Sequence, residues 1–453
     1  MQRAVKFAKY LPEHGWDVSV LTTSNPSVPV LDPSMLSDVP PATIVRRART
    51  LEPAYAVKSF VTSGSATVKR QNTFGQIIKG AARWCAKTLL QPDPQILWMP
   101  GAVRAGRQLL ADAPHDAVMV TGPPFSAFLI GRRLARETGL PLVLDYRDEW
   151  SLSNLVWENR RIGRVSALLQ RRMQEKVLRS ADALIATTGA SAEALEDISK
   201  PSASGAVVST VYNGFDPDDF PTTQNESTTQ VDPPRRHSKY RLAYVGTLWN
   251  LTSIEPLVQA IHELCRSDPE LGERLELVLA GRRTSEQDER LLALEGLPCQ
   301  VSCRPYVEHQ EAVEIMRAAD GLCLLLSDVE SAGRVVPAKL FEYMAARRWI
   351  LSVTPRGEVW DLLRDHPAAE CREPKDIEGI ADVLASEIRR HVDGIRGHHF
   401  DDDFRQYDRR NQARQLATLL DGLQSDEIAV AEIDADGSPI ESDAEAAFAH
   451  QVH

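Results

Sequence analysis

Lys339 and Glu342 stand three residues apart in the stretch Val336-Pro337-Ala338-Lys339-Leu340-Phe341-Glu342-Tyr343-Met344-Ala345-Ala346. It lies between two apolar runs, Leu322-Cys323-Leu324-Leu325-Leu326 and Trp349-Ile350-Leu351-Ser352-Val353. Runs without alternation, joined by a helical pattern, predict a βαβ unit whose strands are covered on both faces. Pro337 suits the first helical position, where its lack of an N–H costs nothing, so the loop before it is expected to offer free amides at the positive end of a helix. One turn then holds a cation, an anion and bare amides, a ready seat for a phosphate. The simpler alternative is a solvated Lys–Glu pair on an ordinary α/β helix.

The elements that must position this turn are legible along most of the chain. The first helix carries Ala4, Val5, Ala8 and Leu11 at helical spacing, with Arg3, Lys6 and Lys9 between them, and leads to a strand Val18-Ser19-Val20-Leu21-Thr22. Residues 24–65, rich in Pro, Ser and Asp, predict a long loop. Lys79, Arg83 and Lys87 recur every fourth residue, which suits either a membrane-interface helix or a solvated face. The three prolines at 92, 94 and 100 make a rigid loop that carries Trp98. Helix 101–112, strand 117–120, helix 125–138 and strand 142–145 form a parallel unit with a right-handed crossover. Further strands are expected at 181–188, 207–212, 241–248, 275–280 and 299–303, and further helices at 160–179, 357–365, 376–391 and 401–423. The loop Gly246-Thr247 does not continue as G-x-G-x-x-G, so there is no dinucleotide fingerprint.

Composition sets the limits. A chain of 453 residues, 43% hydrophobic and 25% charged, implies two or three soluble globular domains. Residues 1–212 hold 26 Lys and Arg against 18 Asp and Glu, whereas the remainder holds 26 against 45. A basic half beside an acidic half argues against a nucleic-acid binder and suits a first domain near anionic lipid head groups. The six cysteines contain no C-x-x-C pair and read as thiols of a reducing cytosol. Cys299 and Cys303 lack further ligands at metal spacing, and Asp216-x-Asp218 and Asp401-x-Asp403 resemble a metal-binding D-x-D only in letters, so no metal is expected. No apolar run is long enough for a membrane span. The Thr- and Gln-rich residues 221–238 predict a flexible insertion, and the acidic stretch 425–453 a disordered tail.

Several phrases, in their order, resemble family 4 glycosyltransferases of the GT-B type. They are Pro92-Asp93-Pro94-Gln95 with Trp98, Arg147-Asp148-Glu149-Trp150, Asn213-Gly214-Phe215-Asp216, and Pro337-x-Lys339-x-x-Glu342-Tyr343. The resemblance covers nearly all of the chain except the insertion and the tail, and points to a bacterial, cell-envelope or exopolysaccharide branch. It implies an α/β fold of two doubly wound Rossmann-like domains facing across a cleft. Residues 1–213 would form the acceptor-side domain, 214–239 the hinge and insertion, 240–400 the nucleotide-sugar domain, and 401–424 a helix crossing back.

By the same resemblance Glu342 holds the ribose hydroxyls, Gly246 and Thr247 approach the diphosphate, and Arg282 and Lys339 meet its charge. The family's first acid falls at Arg334. Trp98, Arg147, Asp148 and Trp150 would line the acceptor side, with Asp148 and Lys339 as catalytic candidates. The implied reaction moves a sugar from a UDP- or GDP-sugar to a hydroxyl with retention, without metal or cofactor. The acceptor would be a saccharide or lipid-linked, met at the cytoplasmic face of the membrane, with peripheral contact through the basic domain. The family places a strand and a glycine loop before the first helix, and this sequence starts at the helix. An unpaired slot in the first sheet is therefore expected. Three other readings stay open: an inactive GT-B scaffold, a nucleotide-sugar epimerase, and a two-lobed sugar-binding module.

Overall fold

The computed structural model describes residues 2–28, 32–52, 90–150, 163–200, 205–220, 238–395, 398, 402–424, 432–433 and 439–440. The basic stripe at Lys79, Arg83 and Lys87, nearly all of the insertion and most of the acidic tail lie outside them. Within the tail, Glu432–Ile433 pairs antiparallel with Pro439–Ile440.

The second lobe is a six-stranded parallel sheet. In chain order its strands are β7 (Tyr240–Val245), β8 (Leu275–Ala280), β9 (Gln300–Arg304), β10 (Gly321–Leu325), β11 (Trp349–Val353) and β12 (Ala369–Arg372). Across the sheet they run β12-β11-β10-β7-β8-β9, all parallel. The order reverses between β7 and β10, and a doubly wound sheet binds ligands at the carboxyl ends of its strands beside such a reversal. Every residue of β10 and β11 is buried, which is why the sequence shows them as apolar runs interrupted only by Ser352. Leu242, Leu277, Cys323 and Leu351 pack on one side with the helices Glu255–Ser267 and Ile377–Val392. Ala243, Val278, Leu322 and Ile350 pack on the other with the helices His309–Ala318 and Lys339–Ala346.

The first lobe contains β1 (Ser19–Thr23), β2 (Ile44–Ala48), β3 (Val118–Gly122), β4 (Leu142–Tyr146), β5 (Ala183–Ala186) and β6 (Val207–Thr210). They form two sheets. β1 and β2 pair in parallel, and β3-β4-β5-β6 make a separate parallel sheet, so β1 and β3 each end a sheet. β2 lies within the expected loop 24–65. Its Ile44 and Val45 are exposed, so no alternation marked it in the sequence. Asn213 and Gly214 open the hinge, and the helix Arg409–Gln424 returns to bury Leu416, Leu419 and Leu420 against Val143, Ile185 and the N-terminal helix Gln2–Tyr10.

Candidate functional site

The loop leaving β7 is shaped by close backbone contact. Gly246 and Gly281 have φ of +146° and +134°, and a Cβ on Gly281 would overlap the carbonyl oxygen of Gly246. Side chains other than hydrogen rarely adopt such angles, so glycine is required at both places. The Gly246 amide donates to Ala280 at 2.8 Å, and the Thr247 carbonyl accepts from the hydroxyls of Tyr244 at 3.0 Å and Thr252 at 2.6 Å. Arg282 is exposed at the same edge, its carbonyl bound by the Leu248 amide at 2.9 Å. Arg283 is taken up by Asp288 at 2.6 Å.

Lys339 comes to this loop from the helix Lys339–Ala346. Its Nζ donates to the Tyr244 hydroxyl at 2.7 Å, lies 4.1 Å from the ring centroid, and sits where a Cβ on Gly246 would be. A cation thus rests against bare peptide, an arrangement that can take an anionic oxygen. The sequence suggested that Pro337 is the first helical residue; the helix starts instead at Lys339. The Pro337 carbonyl accepts from the Leu340 amide at 2.9 Å in the turn ahead of it. One turn on, the Glu342 side chain is 17% exposed and its Oε1 lies 4.0 Å from Nδ1 of His309. Burial raises the Glu342 carboxyl, with His309 and Arg409 pulling the other way. Leu340, Phe341, Tyr343 and Met344 take the buried face, which leaves Lys339 and Glu342 half-buried on the other.

The first lobe closes on the other side. Arg334 reaches Glu149 at 2.8 Å, and its carbonyl accepts from the Thr188 hydroxyl at 2.9 Å. The position that resemblance assigns to an acid therefore carries a cation spent on the facing lobe. Ser191 donates to Glu149 at 3.0 Å. Close by, the Glu358 carboxylate receives the amides of Gly189 and Ala190 at 2.7 and 2.9 Å and the Tyr212 hydroxyl. An anion at the start of the helix Gly189–Ser199 is electrostatically favoured.

The acceptor-side candidates separate into two groups. Asp148 is exposed, yet loss of surrounding water raises its carboxyl more than Arg147 lowers it. Arg147 donates to the Pro123 carbonyl and so fixes its loop, and its Nε is buried without a partner. Trp150, expected as an apolar wall, is 2% exposed, stacks on Phe125 with centroids 4.7 Å apart, and donates to Gln170 at 3.1 Å. The ring has an apolar bed and a buried acceptor for its N–H, so it belongs to the core. Trp98 donates to the Ala48 carbonyl at 3.1 Å and pins the Pro-rich loop to the end of β2.

A charged network that the sequence reading missed joins the lobes at the hinge. Arg3, Lys6 and Lys9 looked like the solvated side of an amphipathic helix, but Arg3 and Lys6 are buried. Arg3 pairs with Asp145 at 3.0 Å, and Lys6 with Asp216 at 2.5 Å, Asp38 at 2.8 Å and Asp219 at 3.3 Å. The available signal was the complementary cluster Asp216, Asp218 and Asp219 at the hinge. Burial and, after it, Arg3 lower the Arg409 guanidinium to about 9, so it stays charged at neutral pH. Among the described residues no three His, Cys, Asp or Glu side chains are grouped to hold a metal, and no helix is long and apolar enough to cross a membrane.

Residues 2–214 match the glycosyl transferase 4-like domain. A D-inositol 3-phosphate glycosyltransferase of Catenulispora acidiphila is 27% identical over 230 residues, 49% of this chain and 53% of the relative, so the match spans about half of that protein. The Anabaena protein HepE, solved with UDP and glucose, superposes with a TM-score of 0.55 at 12% identity, over 93% of this chain and 95% of HepE. An α,α-trehalose-phosphate synthase (UDP-forming) of Burkholderia vietnamiensis gives 0.56 at 13% identity, over 90% and 99%. Residues 2–214 thus match the glycosyl transferase 4-like domain, within a chain whose fold matches that of GT-B glycosyltransferase structures.

Proposed function

We propose that this protein transfers a sugar from a nucleotide diphosphate sugar to an acceptor hydroxyl, with retention and without a metal. The observation that carries the reading is the array of Gly246, Thr247, Lys339 and Glu342 beside the carboxyl ends of the second sheet, with Glu149 of the other lobe joined to the loop after β10 through Arg334. Lys339 and Arg282 would meet the charge growing on the leaving diphosphate beside the Gly246-Thr247 turn, which is electrostatic catalysis by preplaced groups. Glu342 would accept from the nucleoside hydroxyls. Asp148 would contact the acceptor, and closure of the lobes would exclude water. Uridine is favoured over guanosine because HepE was solved with UDP and with UDP-glucose.

The acceptor in this reading is a saccharide or lipid-linked sugar of the cell envelope, met at the cytoplasmic membrane face. Support comes from the helix Arg164–Leu178, where Val165 and Leu168 are 59% and 50% exposed beside Arg164, Arg171, Arg172 and Lys176. A second reading, a GT-B scaffold without activity, is favoured by Arg334, which is engaged by Glu149 at the position of the family's first acid. Calorimetric titration with UDP, followed by product analysis with labelled nucleotide sugars, tests both. Lys339→Ala and Glu342→Ala should each weaken UDP binding by about tenfold or more. A folded protein that binds neither UDP nor GDP would rule out the transferase, and binding without turnover would favour the scaffold.

A further inference from the structure

The imidazole of His309 is gripped from three separate elements. Nε2 lies 2.9 Å from Oδ2 of Asp219 in the hinge, and a carboxylate only accepts, so Nε2 carries a proton. Nδ1 lies 3.0 Å from the side-chain amide of Gln2 in the N-terminal helix, whose nitrogen donates to Nδ1 of a neutral ring and whose oxygen, with the amide turned over, accepts from Nδ1–H of an imidazolium; it lies 4.0 Å from Oε1 of Glu342. Gln2 also bonds Glu342, and the His309 amide reaches Asp32. Lys6, 3.3 Å from Asp219, opposes charge on the ring, while Arg409 acts on Glu342. His309 thus lies between two carboxylates rather than on a solvated helix face; its side chain is 15% exposed.

We propose that His309 is a positioning residue for Glu342: as imidazolium it keeps that carboxylate ionised at the gap between the lobes, and its deprotonation weakens binding of a nucleoside diphosphate. The inference rests on the role proposed above for Glu342. With a neutral ring, Asp219 and Glu342 face one another with less compensation, and the added negative field opposes an incoming diphosphate. Asp219 raises the imidazole against the effect of burial, and burial raises the Glu342 carboxyl. Affinity should therefore peak between the two titrations, limited on the acid side by protonation of Glu342 and on the alkaline side by discharge of His309.

The test is calorimetric titration of the full chain with UDP from about pH 5 to about pH 9. Wild type should lose about tenfold in affinity along the alkaline limb, equivalent to about 1.4 kcal/mol. His309→Gln should bind weakly and lack that limb, and His309→Lys should keep tight binding to higher pH because lysine stays charged. Asp219→Asn should move the limb toward lower pH, a readout available even if His309→Gln is unstable. The proposal is overturned if Glu342→Gln weakens UDP binding while His309→Gln keeps the wild-type affinity and pH profile, or if His309→Lys fails to restore binding in a folded protein. Failure of wild type to bind UDP at every pH would instead overturn the nucleotide-sugar reading itself, and this inference with it.

Discussion

Arg334 donates to Glu149 at 2.8 Å, a bond that joins the loop after β10 in the second lobe to the loop after β4 in the first. Glu149 is 7% exposed and Arg334 36%, so the pair is half-screened, and the carboxylate has more to lose than the guanidinium. Arg334→Ala should cost about 1–2 kcal/mol. The measurement is a melting temperature lowered by a few degrees, together with a larger radius of gyration in small-angle scattering as the lobes part. Unchanged values of both would show that this bond does not hold the lobes.

Acid should act through the hinge. Burial alone would raise the Asp216 carboxyl, but hydrogen bonds from Lys6, Tyr10 and Lys9 hold it well below its usual 3.8. A carboxyl depressed by folding contributes stability that is full above its unfolded pKa and lost as pH falls through the folded one. Urea titrations at neutral and at low pH should show a steeper loss for wild type than for Asp216→Asn. A parallel decline would mean that other carboxylates set the acid limit.

The buried pair of Arg3 and Asp145 invites a two-variant comparison, because their side chains are 2% and 0% exposed. Removing one partner strands the other charge, so Arg3→Ala should cost about 3–5 kcal/mol. Replacing both, as Arg3→Met with Asp145→Leu, should recover much of that loss in denaturant titrations. An equal or larger loss in the double variant would point to the bonds from Thr121 to Asp145 and from Arg3 to the Tyr212 carbonyl as the dominant ones.

Gly281→Ala should damage the loop that holds Lys339 against Gly246, since its φ is +134° and the new Cβ would meet a backbone oxygen. Gly296→Ala is the control: its φ is +80° but nothing lies within 4 Å. Both pay backbone strain of about 1–3 kcal/mol, so the prediction is specific to function. UDP affinity should fall for the first variant and hold for the second.

The second lobe was readable because its central strands are buried on both faces. β8 and β11 appear in the sequence as mainly apolar runs, interrupted by Glu276 and by Ser352, with the boundaries seen in the structure. β2 was not readable, since its exposed Ile44 and Val45 carry neither alternation nor a continuous run. Trp150 next to Arg147-Asp148 looked like part of a surface motif, but a strand end can send one side chain outward and its neighbour into the core, and only packing against Phe125 settles which. The partners of Arg3 and Lys6 lie far along the chain, at Asp145 and Asp216, so helical periodicity had no means of finding them.

Leu416, Leu419 and Leu420 complete the core of the lobe that contains the N-terminal helix. Multidomain chains commonly fold N-terminal units first during synthesis. Here the order must be inverted: every strand and helix of the second lobe is synthesised before the last leucines of the earlier lobe are made. Until then a nascent chain carries an uncovered apolar patch over Val143 and Ile185, a natural place for a holding chaperone.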